Sequence, residues 1–147
     1  MCKPLIARTT LIALTATMSA TAAAQATVGE VLDAGGKKLA KVELVKLIAG
    51  ATVSGQTQGD GQIQLDIKAD GTFTGMMTQN QEMTGNSGRF GTWTVDDAGL
   101  FCTDNTAYIN GASSKNCVYY YVLGDKYFIS FDTDDRGARV FERFIKK

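Results

Sequence analysis

The sequence predicts a mainly β protein: a small antiparallel up-and-down β-barrel of about eight strands with one short N-terminal helix, the alternative being a two-sheet β-sandwich. Three observations carry this prediction. From Ala51 onward apolar and polar side chains alternate, glycine-containing turns recur roughly every eight to twelve residues, and only one stretch upstream has a helical period. A chain of 147 residues holds one domain. Its 15 basic and 15 acidic side chains cancel, which leaves no field to gather nucleic acid or an anionic membrane. It contains no histidine. That removes the commonest general base, the Ser-His-Asp and Cys-His systems and histidine-rich zinc sites.

Residues 1–26 read as a signal peptide. Lys3 and Arg8 make a positive start, Leu11 to Met18 supply a short apolar run, and Ala24-Gln25-Ala26 offers small residues where a signal peptidase reads. Cleavage is expected after Ala26, giving a periplasmic or secreted product. The apolar run is too short to cross a hydrocarbon core of about 30 Å, so no stable membrane insertion is expected. The competing reading, a structural helix, lacks an amphipathic period. Cleavage removes two basic residues and no acid, leaving 121 residues with 13 basic against 15 acidic groups, a net charge of −2.

Residues 27–38, with Gly29, Gly35 and Gly36 among small and charged side chains, read as a flexible leader ahead of a single domain at 39–147. Leu39, Val42, Val45 and Ile48 then recur every third residue, Leu44 and Leu47 widen the stripe, and Gly50 supplies a left-handed stop. This helix of about ten residues is too short to stand alone in water and must dock on something apolar.

The strands follow in order. Ala51 to Gln58 is the first, and Ile63, Leu65 and Ile67 alternate with polar neighbours in the second. Asp70-Gly71 suits a tight hairpin into Thr72 to Thr78. After a polar break at 79–88, Arg89 to Asp96 places Gly91, Trp93 and Val95 on one side, and Asp97-Ala98-Gly99 turns into Leu100 to Thr106. A second polar break at 105–116 precedes Cys117 to Leu123, rich in the β-branched and aromatic residues that fit a pleated surface. Gly124-Asp125 turns into Tyr127 to Asp132, and Asp134 to Gly137 into Ala138 to Ile145. A meander of eight strands has two open edges, and closing the sheet removes both. The helix is expected to cover one open end.

Few chemical groups stand out. The two cysteines of the exported part, Cys102 and Cys117, are expected to pair as a disulfide in an oxidising compartment, stabilising by about 3 kcal/mol. Asp132-Thr133-Asp134-Asp135-Arg136-Gly137 resembles the start of a calcium loop, but Arg136 and Arg143 stand where ligands belong, and a turn explains the same residues. Met76, Met77 and Met83 suggest a soft metal site, yet Met76 and Met77 point to opposite faces of a strand, so no metal or other cofactor is assigned. Carboxylate pairs are the only acid-base machinery, the aspartates fall near turns, and no G-x-S-x-G elbow occurs. An enzyme is therefore not expected.

The aromatic population of the second half offers more. Trp93, Tyr119, Tyr121 and Tyr127 are candidates to line an apolar ligand pocket with hydroxyls at its polar points. On size alone, a barrel filled by its own rings is favoured over a hollow one. Arg139 to Phe144 alternates out of step: either Glu142 faces inward with Val140 and Phe144, or one or both of Arg139 and Arg143 do. Those arginines are candidates to cap an aromatic ring or bind a ligand at a barrel mouth, against the simpler alternative of a strand end in water.

The signal peptide, Gly50-Ala51-Thr52-Val53-Ser54-Gly55, Asp70-Gly71-Thr72, Gly91-Thr92-Trp93, Leu100-Phe101-Cys102 and Cys117 together resemble small uncharacterised exported proteins of Proteobacteria with lipocalin-like eight-stranded barrels. True lipocalins carry Gly-x-Trp on the first strand, whereas Gly91 and Trp93 fall on about the fourth. The resemblance therefore implies a barrel and an envelope location, not a lipocalin ligand. The expected function is non-catalytic binding of a small apolar or amphipathic ligand at a barrel mouth. The alternative is a protein-protein interaction or inhibitor module of the cell envelope, acting through the loops at 79–88 and 105–116.

Overall fold

The computed structural model describes residues 26–59, 61–78, 87–107, 111–131 and 134–147. Within residues 27–38, where the sequence suggests a flexible leader, the described structure has helix α1 (Val28–Asp33) and the short strand β1 (Lys37–Lys38). Thr27 and Glu30 form a capping box: the Glu30 N–H donates to Thr27 Oγ1 at 3.3 Å, and the Thr27 N–H donates to Glu30 Oε2 at 2.7 Å. Val28 and Val31 are buried with Tyr121 and Val140 on the outer wall of the sheet. Gly29 serves close approach rather than freedom. Its N–H donates to the Arg136 carbonyl at 2.7 Å, and a Cβ there would lie 2.9 Å from that oxygen.

Helix α2 (Lys41–Ile48) is the helix expected from the apolar period. Its buried stripe is narrower than that period implied. Leu44 and Ile48, one turn apart, are both 0% exposed, whereas Val42 is 78% exposed. They pack on Ile67, Phe73 and Val95 and so close one end of the barrel. Outside the barrel, Lys41 Nζ pairs with Asp97 Oδ1 at 2.8 Å and ties the helix to a turn.

The barrel strands are β2 (Thr52–Gln56), β3 (Gln62–Ile67), β4 (Thr72–Thr78), β5 (Ser87–Val95), β6 (Leu100–Ala107), β7 (Ser113–Leu123), β8 (Lys126–Phe131) and β9 (Phe141–Lys146). Each pairs antiparallel with its sequence neighbour, and β9 returns to β2 with Val53 opposite Ile145. Eight strands thus close without an edge, which sets the sandwich alternative aside. Strand β1 pairs with Tyr121 and Val122 of β7. Cys102 and Cys117 lie directly opposite on β6 and β7 with Cα atoms 4.1 Å apart and form the expected disulfide. Their neighbours Phe101, Thr103, Asn116 and Val118 line the interior, so alternation puts the sulfurs on the outer wall.

Candidate ligand cavity

The interior is packed at the α2 end and hollow at the other. The hollow half is a cavity of about 490 Å³, within the range of small-molecule sites. Val53 of β2, Ile63 and Leu65 of β3 and Met77 of β4 form one wall, and Val118, Tyr120, Ile129 and Phe131 of β7 and β8 the facing one. Thr57, Gln58 and Gly59, after β2, edge the mouth. The filled core favoured on size alone thus describes only half of the barrel. Gly55 of β2 and Gly75 of β4 take inward positions on the two strands that flank β3, opposite the ring-bearing wall.

Charge enters the cavity on two arginines. Arg143 of β9 is only 6% exposed, and its Nη1 donates to the Glu142 carbonyl at 2.9 Å. Burial pushes its guanidinium down from the usual value, and the nearby Tyr120 acts weakly the other way. Gly55 lies opposite Arg143 in register, and a Cβ there would sit 2.6 Å from Nη1. The glycine gives the guanidinium room over β2. From the facing wall, Arg89 of β5 donates through Nη1 to Asn105 Oδ1 at 2.7 Å. Asn105 is held in turn by Ser114 Oγ, which donates to the same oxygen at 2.9 Å. The buried Arg89 Nε has no acceptor among the described residues. No carboxylate is among the described residues that line the cavity.

Of the six residues singled out for ligand binding, Arg143 alone lines this cavity. Trp93 and Tyr127 belong to the packed interior. Trp93 lies 6.1 Å from the Phe101 ring and donates through Nε1 to the Lys68 carbonyl at 2.8 Å. Tyr119 and Tyr121 face outward: Lys38 Nζ sits 4.7 Å over the Tyr119 ring, and Tyr121 packs on α1. Between them, Tyr120 takes the inward position. Arg139 caps the Phe141 ring at 4.6 Å and borders a second depression with Gln58 and Phe131. The second alternation weighed for Arg139 to Phe144 therefore holds at Arg143, while Phe144 is exposed.

Arg89, Asn105 and Tyr120 were missed. Arg89 and Asn105 stand at strand ends beside the polar breaks, where an inward side chain looks the same as a loop residue. A count of two from Trp93 back along β5 reaches Gly91 and Arg89, and that was the available signal. Met77 faces the cavity and Met76 the solvent, as strand alternation requires. Met83, Tyr108, Asp132 and Thr133, the loop residues 79–86 and 108–110, and residues 1–25 of the signal peptide lie outside the described residues. Asp134 pairs with Lys38 Nζ at 2.9 Å, and Asp135 Oδ1 accepts the Gly137 N–H at 2.8 Å, as in a turn.

Among the described residues no helix is long and apolar enough to cross a membrane. A family model described as "Protein of unknown function (DUF995)" matches residues 11–134. No curated protein and no solved structure matches the chain.

Proposed function

The chain belongs to the DUF995 family of proteins of unknown function, and on that premise we propose a non-catalytic binding protein of the bacterial cell envelope that holds a small apolar or amphipathic ligand in its barrel. The single observation that supports this reading is the cavity of about 490 Å³, walled by apolar side chains at the end opposite the helix. Export fits the disulfide, which persists in oxidising compartments. Under this reading residues 1–26 are a cleaved signal peptide, the mature protein begins at Thr27 in the periplasm or medium, and the barrel is lipocalin-like in strand count.

Native mass spectrometry of the protein purified from its own envelope tests the proposal. The expected spectrum shows the mature chain starting at Thr27 plus a small-molecule adduct that is lost on denaturation. A bare polypeptide that also takes up no apolar fluorescent probe overturns it.

A further inference from the structure

We propose that the ligand is an amphipathic anion whose single acidic head sits between Arg143 and Arg89 and whose apolar chain runs along the wall that carries Val118 and Tyr120. This inference rests on the reading of the barrel as a binding protein and names the class of its ligand. An uncompensated charge in an apolar interior is costly, so buried cations are normally paired. Arg143 is 6% exposed, and the five ion pairs formed among the described residues do not include it. Among the described residues its Nη1 reaches only the carbonyl of the preceding residue.

Arg89 approaches from the opposite wall. Strands β5 and β9 are four steps apart in either direction around a ring of eight, so the two guanidiniums face one lumen from opposed sides. The Ser114-Asn105-Arg89 chain of hydrogen bonds sets the plane of the Arg89 guanidinium and leaves its buried Nε without an acceptor among the described residues. Two cations, no lining carboxylate among the described residues and an apolar wall beyond them favour one chemistry. A carboxylate, or an equivalent singly charged oxyanion, satisfies both arginines, and a hydrocarbon chain fills the rest. A neutral amphiphile leaves both charges uncompensated, and a cationic one adds a third.

Titration calorimetry with dodecanoate, dodecanol, dodecylamine and acetate tests the inference on the mature protein. Dodecanoate is expected to bind at least about tenfold more tightly than dodecanol, with dodecylamine and acetate weaker still. Arg143→Gln and Arg89→Gln should each weaken dodecanoate by about tenfold to a hundredfold and leave dodecanol unchanged. Arg143→Met supplies a measurement independent of affinity. Relieved of a buried charge, the ligand-free variant should unfold at higher urea than the wild type, and dodecanoate should raise the wild-type midpoint more than that of the variant. Equal affinity for dodecanoate and dodecanol overturns the anionic head while the binding function stands. Acetate binding as tightly as dodecanoate overturns the apolar chain. Failure of every probe overturns this inference, and the native spectrum then decides the binding function separately.

Discussion

Tyr120 shows how one residue ties the cavity to the stability of the fold. It is 3% exposed, its ring meets Phe101 edge-on at 5.9 Å, and burial pushes its phenol up to about 12, with the Arg143 charge pulling the other way. In the unfolded chain a tyrosine titrates near 10. Below about pH 10 both states hold the proton, and the stabilisation is complete. Between about pH 10 and 12 the unfolded chain has lost a proton that the folded one keeps, so stability falls across that window by about 2–3 kcal/mol. Tyr120→Phe retains the ring and removes the titrating group. Urea unfolding followed through the same window should show a smaller decline in the variant, by about that amount. Parallel declines in the two proteins contradict an enclosed phenol.

Elements were legible in the sequence where one face of a strand is wet. Ile63, Leu65 and Ile67 alternate cleanly with polar neighbours, and their inward placement follows at once. The run Tyr119 to Tyr121 hid its phase, because β7 is apolar on both faces: Tyr120 meets the lumen while Tyr121 is covered by α1. Helix α1 was hidden as well, since six residues with a glycine carry too little period to register. Its signals were the Thr27 and Glu30 spacing and the valine pair Val28 and Val31. The same logic separates the two valine and leucine positions of α2. Leu44→Ala, at the barrel plug, should cost about 2–5 kcal/mol in urea unfolding, whereas Val42→Ala should cost about 0.5 kcal/mol or less. Comparable losses at both sites contradict the way α2 is seated.

At the scale of the whole molecule, the α2 end is a packed core and the opposite end is a cavity, and the disulfide belongs to neither. It joins strands that are already neighbours in the ring, through seven paired positions from Leu100–Tyr119 to Thr106–Ser113, and it does so on the outer wall. Its stabilisation therefore comes from constraining the unfolded chain across a separation of 15 residues, a loop-entropy contribution of about 3 kcal/mol. Neither the seam between β6 and β7 nor the lumen depends on the sulfur bridge for its shape. Mild reduction, or Cys102→Ser with Cys117→Ser, should then lower stability by about 2–4 kcal/mol in urea unfolding. Dodecanoate affinity, measured well below the melting range of the reduced protein, should stay within about twofold of the oxidised value. Affinity that falls in step with reduction, while the far-ultraviolet spectrum remains that of a folded β protein, places the disulfide among the features that shape the cavity and reverses this division of roles.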